Sequence, residues 1–286
     1  IRLRFRIDLR DPLLKETLKI GVPSIAVVIA SFVTTSVQSS SALSVTATGA
    51  SITYYSRLWY TLPYSILTVP ITTAMFTELS DSWAKGDKDS FTRGIVSGTG
   101  QILFFSLPFM FYLMVFSVPL ISILAAGSFT SEALSMTASY LSAYAISLPV
   151  YAVYMYLQKV ASAMRRMMLC AVANAIAAVV QVVALLALTP VFGLDFVAFS
   201  STLFFVTLCV VMFASLRRSL GPIGLGSMFG SAVRAALLGL VGALVGALVL
   251  RLLNSALGDC SGSMLRSLAY CVAGGIPALV VTYGGA

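Results

Sequence analysis

The sequence predicts an all-α, polytopic helical membrane protein with about eight transmembrane helices. Hydrophobic residues make up 59% of its 286 positions and charged residues only 10%, a composition in which a single soluble core is not expected. Apolar segments of about 20 residues, the length of a helix that crosses a bilayer, recur along the whole chain. The Lys and Arg residues cluster between these segments on one predicted side, which supports both the number of spans and their orientation.

Eight spans follow from the apolar segments, and the polar connections between them decide which side faces the cytoplasm. The spans are 20–46, 52–80, 94–125, 133–163, 168–189, 195–216, 231–253 and 266–284. With the amino-terminal segment in the cytoplasm, that side holds 15 of the 18 basic residues, namely Arg2, Arg4, Arg6, Arg10, Lys15, Lys19, Lys85, Lys88, Arg93, Lys159, Arg165, Arg166, Arg217, Arg218 and Arg234. Arg251 and Arg266 lie on the opposite side, and Arg57 lies inside a span. This asymmetry accounts for the formal charge of +8 without a nucleic-acid partner, because basic loops are retained in the cytoplasm.

Several classes of function are disfavoured by residues that the sequence lacks. It has no histidine, and no predicted span holds a pair of carboxylates, so the usual groups for proton transfer or metal ligation inside a membrane site are missing. The four cysteines have no metal-type spacing, and no Gly-rich ATP-binding motif is present. The sequence therefore predicts a transporter or a structural membrane protein, not an enzyme, with no cofactor or metal. The chain begins on a basic segment without Met, so we expect residue 1 not to be the natural start.

The second span is distinctive because it carries a cation within its apolar run. Arg57 follows the first turn of the span, and Pro63 and Pro70 lie further along. Proline removes a backbone hydrogen bond and bends a helix, and a guanidinium is costly in hydrocarbon unless it meets water, a partner helix or an anionic ligand. Arg57 also lies only about 8 Å along the axis from Ile52, so it could extend to the membrane surface instead. Of these two alternatives we predict the role in a cavity.

Neutral polar residues mark two other spans. In the first span four polar residues recur at three- and four-residue steps and share one helix face: Ser31, Thr34, Gln38 and Ser41. This pattern fits either the wall of a wet cavity or hydrogen bonding between helices. In the fifth span Asn174 and Gln181 lie seven residues apart on one face. The same two interpretations apply there, and bonding between helices is the commoner use of such residues.

Tyrosines distinguish the fourth span, which also has Pro149 near its centre. Tyr140, Tyr144 and Tyr151 lie on one face of this predicted helix. Tyrosines in this arrangement fit either binding of a sugar or, more commonly, contacts between helices and with the membrane interface.

Two motifs in order carry a family resemblance. Residues 54–80 read YYSRLWYTLPYSILTVPITTAMFTELS, and AAGSFT at 125–130 is followed by TASYLSAYAISLPVY. With the helices and loops around them, these motifs resemble the MurJ/MviN lipid II flippases of the multidrug/oligosaccharidyl-lipid/polysaccharide exporter superfamily. The resemblance covers essentially the whole chain and matches the second half of a fourteen-helix pattern, from the seventh helix onward.

The resemblance implies a division of the chain and an overall architecture. A cytoplasmic basic segment, 1–19, would precede the six-helix second lobe of a MurJ-like exporter fold over 20–218. A linker, 219–230, would lead to two extra carboxy-terminal helices over 231–286. The complete transporter would be V-shaped, multi-pass in the bacterial cytoplasmic (inner) membrane, and open alternately to each side of that membrane.

The resemblance also implies a substrate and a site. The substrate would be lipid II, an undecaprenyl pyrophosphate-linked sugar peptide used in peptidoglycan biosynthesis, with Arg57 contributing to a cationic cavity that holds the diphosphate. Gln38, Tyr54 and Asn174 are expected to add neutral hydrogen bonds to sugar or phosphate, and the last two helices to hold the lipid tail. Family members usually have one fewer residue between this arginine and Pro63, and an extra residue turns a helix by about 100°. Some relatives bind sodium through an acidic residue on the first helix of this lobe, and the predicted spans one and five of this chain have none.

Membrane lipids and cell-wall synthesis proteins are further expected partners, and two rival functions stay open. One is export of another polysaccharide lipid or a drug by the same superfamily, although a drug site favours buried Asp or Glu and no predicted span has one at depth. The other is a non-transporting membrane scaffold for cell-wall enzymes.

Overall fold

A computed structural model describes residues 12–125, 129–259 and 263–284, so most of the predicted basic segment, 1–19, lies outside the described residues. Within these ranges the chain consists of helices and short connections and has no strand. The helices are α1 (Pro12–Val45), α2 (Gly49–Pro63), α3 (Val69–Ala84), α4 (Lys88–Val115), α5 (Ser117–Ala125), α6 (Ser131–Ala145), α7 (Leu148–Ala163), α8 (Met167–Leu220), α9 (Leu225–Leu257) and α10 (Met264–Gly284), with a π-helical turn, Tyr64–Thr68, between α2 and α3.

The all-α class is confirmed, but the count of about eight transmembrane helices is not. In the described residues, five helices are long and apolar enough to cross a membrane, and a sixth span results if α6 and α7, which meet at a bend of 49°, are counted together. Two features explain why this count of spans is lower than the eight predicted from the sequence. Helices α2 and α3 have only 15 and 16 residues, whereas a span needs about 20. The predicted fifth and sixth spans both fall within the 54 residues of α8, where Gly193 has non-helical dihedral angles (φ 64°, ψ −144°) that break the helix.

The predicted second span is interrupted where its prolines lie. Pro63 is the last residue of α2, and Pro70 occupies the first turn of α3. Between them the backbone widens into the π-helical turn, in which the N–H of Val69 donates to the carbonyl of Tyr64. Pro70 has no N–H to offer the carbonyl four residues earlier, and such turns accommodate a lost bond inside a helix. The span is thus irregular in its middle, as the prolines predict.

Two cores hold the helices around α8. One lies between α3, α4, α7 and α8 and includes Phe91, Tyr156 and Leu208. The other lies between α1, α2, α6 and α8, where the rings of Tyr60 and Tyr144 are 4.2 Å apart. Helix α1 packs along α8, and α4 packs along α9. The second core therefore fixes α1, α2 and α6 against α8 beside the cavity described below.

Helices α9 and α10 pack on α4 and α5 through glycines. At Gly242 a Cβ would lie within 3 Å of Thr282 Oγ1, the carbonyl of Ala278 and the hydroxyl of Tyr112, and at Gly246 it would meet the ring of Phe116. The Tyr112 hydroxyl donates to the carbonyl of Ala278 (3.1 Å) and is hydrogen-bonded to Thr282. The glycines at 242 and 246 therefore let α9 approach α10, Tyr112 and Phe116 closely. Helix α9 begins at Leu225, inside the predicted linker, and the division into domains stays a prediction.

Charged side chains in the polar connection between α3 and α4 find their partners within that connection. Lys85 Nζ lies 2.6 Å from Asp81 Oδ2, and this hydrogen bond raises the pKa of Lys85. Asp87 caps α4 by accepting from the backbone N–H of Ser90 (2.9 Å), which lowers the pKa of its carboxyl group. These charged groups therefore interact with one another and with the backbone inside the connection. The connection lies at the end of the bundle that the distribution of basic residues predicts to be cytoplasmic.

Candidate site: a cationic cavity beside an apolar groove

A cavity of about 350 Å³ lies between α1, α2, α6, α7 and α8. Its lining residues are Val27, Val28, Ser31, Thr34, Thr35, Gln38, Arg57, Tyr144, Tyr151, Tyr154, Met155, Gln158, Asn174, Gln181, Ser201, Phe204 and Phe205. One of them, Arg57, is charged, and the others are hydroxyls, amides, aromatic rings and aliphatic side chains. The cavity is therefore cationic with neutral hydrogen-bonding walls.

The position of Arg57 follows from the buried face of α2. The residues Ile52, Ser56, Tyr60 and Pro63 recur at three- or four-residue steps and are buried, so they form the face that packs on α6. Arg57 directly follows Ser56 and lies at the edge of that face, eight residues or about 12 Å beyond Gly49. Its side chain is exposed in the cavity wall and forms no hydrogen bond or ion pair with the described residues.

Gln38 has both of the roles that the sequence leaves open for the polar face of α1: it bonds to neighbouring helices and it lines the cavity. Its amide nitrogen donates to Ser201 Oγ (2.8 Å), to the carbonyl of Val197 (3.1 Å) and to the hydroxyl of Tyr140 (3.3 Å). The same side chain lines the cavity together with Ser31 and Thr34. The polar face of α1 therefore joins α1 to α6 and α8 and also forms a cavity wall.

Asn174 and Gln181 form the wall on α8. Asn174 is 1% exposed, and its amide nitrogen donates to the hydroxyl of Tyr154 (2.6 Å) and the carbonyl of Cys170 (2.8 Å). Gln181 is also buried, and its amide nitrogen donates to Ser200 Oγ (3.2 Å). The amide oxygen Oε1 of Gln181 has no hydrogen-bond partner among the described residues. Because buried polar atoms are rarely left unpaired, this oxygen is available to a water or a ligand in the cavity.

The structure brings together three of the four predicted site residues. Arg57, Gln38 and Asn174 all line the cavity, whereas Tyr54 does not. Tyr54 lies one turn nearer the start of α2, is 62% exposed, and stacks edge to face on Tyr55 at 5.7 Å.

Several residues of α7 and α8 line the cavity although the sequence analysis did not assign them to the site. Tyr154 and Gln158 on α7 and Ser201 on α8 line the cavity. A helical repeat could have identified two of them, because Tyr151, Tyr154 and Gln158 recur at three- and four-residue steps and share one face of α7. Ser201 carries no such signal, since its hydroxyl is placed by the packing of α8 on α1.

An apolar groove of about 260 Å³ lies on the other side of α2. It is lined by Trp59, Leu62, Pro63, Ile66 and Leu67 of the second span, by Phe109, Tyr112, Leu113, Phe116 and Leu120 of α4 and α5, and by Cys271, Gly275 and Leu279 of α10. Trp59 follows Arg57 by two residues, which turns a helix by about 200°. The cation and the apolar groove therefore lie on opposite faces of one short helix.

The fold and this cavity define a polytopic helical membrane protein with a cationic internal cavity. The described residues contain no cluster of three or more His, Cys, Asp or Glu side chains that could hold a metal ion. The chain belongs to the MurJ lipid II flippase family: the family model described as Lipid II flippase MurJ matches residues 1–267. This family is one of transporters, not of enzymes.

A curated protein and two solved structures are similar to this chain. The chain is 31% identical over 101 residues to the lipid II flippase MurJ of Thermosipho africanus (strain TCF52B), an alignment that covers 35% of this chain and 20% of that protein. It is similar to a solved MurJ structure in the inward closed conformation, with a TM-score of 0.73 and 19% identity, covering 97% of this chain and 56% of that one. A MOP superfamily transporter from Pyrococcus furiosus matches with a TM-score of 0.55 and 13% identity over 94% of this chain and 62% of that one. The two structures establish the fold, and the chain spans about half the length of the MurJ structure.

Proposed function

We propose that this chain forms one lobe of a flippase that moves lipid II, the lipid-linked precursor of peptidoglycan, across the bacterial cytoplasmic membrane by alternating access. The observation that carries the proposal is the Arg57 guanidinium, which pairs with none of the described residues, in a cavity with neutral polar walls and with an apolar groove across the same helix. A lipid-linked diphosphate has the matching parts, an anionic headgroup and a long hydrocarbon tail.

The headgroup would bind in the cavity. A guanidinium offers planar, paired N–H donors to phosphate oxygens and stays charged at physiological pH. The amide nitrogens of Gln38 and Asn174 already donate within the protein, which leaves their amide oxygens to accept from sugar hydroxyl groups. Tyr54, exposed one turn from Arg57 toward the start of α2, would donate to the headgroup at the mouth of the cavity.

The tail would lie in the apolar groove. Helix α10 contributes one wall through Cys271, Gly275 and Leu279, whereas α9 supplies no lining residue and packs against α10. The last span would therefore contact the tail, and the span before it would support that contact.

Movement between two open states would use the breaks in the helices. The π-helical turn Tyr64–Thr68, the 49° bend between α6 and α7, and the break at Gly193 all lie in helices that line the cavity or the groove. Discontinuous helices of this kind are where secondary transporters change conformation around a central site.

Transport by the protein expressed from its complete gene tests the proposal directly. We expect that gene to rescue growth of a bacterium depleted of its own lipid II flippase, and the purified protein in vesicles to translocate lipid II in preference to other prenyl-linked sugars. Translocation of another polysaccharide lipid instead would assign the chain to a different exporter of the superfamily. Failure of both rescue and translocation, with normal membrane insertion, would favour a scaffold.

Filling the groove at Gly275 should slow transport without closing the cavity. No atom lies within 4 Å of a Cβ built at Gly275, so the ring in Gly275→Phe can enter the groove without disturbing α10. The tail is already in lipid, so the groove holds it by dispersion contacts, and losing about ten atom pairs at 0.1–0.2 kcal/mol each would cost roughly 1–2 kcal/mol. We expect translocation of lipid II to fall about tenfold, while a water-soluble headgroup analogue binds with unchanged affinity.

The control is Gly284→Phe, which adds the same ring on α10 at a position that is also open but does not line the groove. Equal transport by the two variants would show that the groove does not hold the tail.

A further inference from the structure

A third concave surface lies between α4 and α9 and shares no lining residue with the cavity or the apolar groove. It is a groove of about 740 Å³ whose polar residues are Ser97 and Gln101 on α4 and Ser231 and Arg234 on α9. No acidic residue among those the structure describes lines it. Gln101 Nε2 donates to Ser97 Oγ (3.3 Å), and Arg234 is exposed and forms no hydrogen bond or ion pair with the described residues.

The two helices run parallel and in register, so the groove has a polar end and an apolar end. A Cβ at Gly100 would lie 3.7 Å from Ser231 Oγ, and a Cβ at Gly239 would contact the backbone of Pro108. The two contacts are therefore separated by the same number of residues on each helix. One to two turns beyond the polar residues, Phe104 on α4 and Leu237 on α9 line the same groove.

The polar end lies at the depth of lipid headgroups. Helix α9 has 33 residues, or about 50 Å, so it extends roughly 10 Å beyond each side of a 30 Å hydrocarbon core. Arg234 is nine residues, or about 13 Å, from the first residue of α9, and its long side chain can reach back to the interface. Helices α4 and α9 both begin at the end of the bundle that the basic residues predict to be cytoplasmic.

We propose that this groove binds one anionic glycerophospholipid of the cytoplasmic leaflet. Arg234, with the hydroxyl of Ser231 and the amide of Gln101, binds the phosphate, and one acyl chain lies along Phe104 and Leu237. The positive charge, the absence of lining carboxylates and the change from polar to apolar residues along the groove match this ligand, and basic pockets between membrane helices on the cytoplasmic side bind such headgroups. The site is independent of the proposed transport function, because it shares no residue with the lipid II site.

Native mass spectrometry of the complete, delipidated protein with dioleoyl phosphatidylglycerol or dioleoyl phosphatidylcholine tests the site. We expect one phosphatidylglycerol to bind about fivefold more tightly than phosphatidylcholine, and Arg234→Gln to remove this preference. Arg251→Gln is the matched control, because it removes an exposed arginine at the other end of the same helix and should retain the preference. Retention by Arg234→Gln, or an equal loss in both variants, would overturn the proposal.

A second variant tests whether the lipid binds in the groove itself or is only attracted by the charge of Arg234. Gly100→Leu fills the groove and leaves Arg234 in place, and a Cβ at this position meets only ordinary contacts. We expect this variant also to lose the bound phosphatidylglycerol. If Arg234→Gln lost the preference and Gly100→Leu retained it, the arginine would attract anionic lipid at an open surface, and a lipid site in the groove would be wrong.

Discussion

Replacing Arg57 with alanine should abolish most lipid II transport while leaving the protein folded. The guanidinium forms no hydrogen bond or ion pair with the described residues, so its removal leaves none of their polar groups without a partner. Each hydrogen bond to a charged group contributes about 1.5–3 kcal/mol, so losing even one such bond to the diphosphate would slow transport by about ten- to a hundredfold. Arg57→Lys keeps the charge but loses the paired N–H geometry, and we expect an intermediate rate.

Two measurements define this test. The first is the initial rate of lipid II translocation in vesicles, with growth rescue as the cellular counterpart. The second is the apparent Tm in detergent, which should be nearly unchanged because the Arg57 side chain makes no hydrogen bond or ion pair with the described residues. Arg251→Ala is a suitable control, because it removes an exposed arginine near the end of α9 that is among the lining residues of neither the cavity nor the apolar groove. Wild-type transport by Arg57→Ala would exclude the diphosphate role, even if lipid II proved to be the substrate.

Replacing Gly242 with valine should cause the largest loss of stability of any exchange considered for this protein. The new Cβ would overlap Thr282, Tyr112 and the carbonyl of Ala278, and a backbone carbonyl on α10 cannot move aside without displacing the helix. Overpacking costs about 1–3 kcal/mol, and losing the hydrogen bonds of Tyr112 would add about 0.5–1.5 kcal/mol each. We expect a marked fall in the apparent Tm in detergent and faster proteolysis between α9 and α10.

Gly230→Ala gives the comparison on the same helix. A Cβ at Gly230 meets nothing within 4 Å, and alanine is a better helix former than glycine, so this variant should be at least as stable as the wild type. Because α9 lines neither the cavity nor the apolar groove, Gly242→Val protein that stays folded at low temperature should still bind a headgroup analogue. An unchanged Tm for Gly242→Val would mean that α9 and α10 do not pack through this glycine.

Local sequence pattern predicted some features of the site and missed others for identifiable reasons. Their spacing was enough to place Ser31, Thr34, Gln38 and Ser41 on one face. The first three line the cavity, whereas Ser41 lines a separate concavity between α1 and α8. Tyr54 belongs to the same motif as Arg57, yet one helical turn leaves it exposed beside Tyr55 instead of in the cavity wall. The predicted fifth and sixth spans, 168–189 and 195–216, lie on either side of the break that Gly193 makes in α8, so the sequence placed this division where the structure has it.

The sequence by itself determined the membrane class and the helical architecture, and it predicted the orientation and a role for an arginine within an apolar segment. These depend on composition, periodicity and charge distribution, which are properties of the chain read locally. Only the tertiary structure decided that Arg57 faces a polar cavity, that Trp59 two residues later faces an apolar groove, and that Gly242 joins α9 to Tyr112 and α10. Those outcomes depend on how helices distant in sequence rotate and pack against one another, and small rotations that leave the pattern of apolar residues unchanged alter which side chains meet.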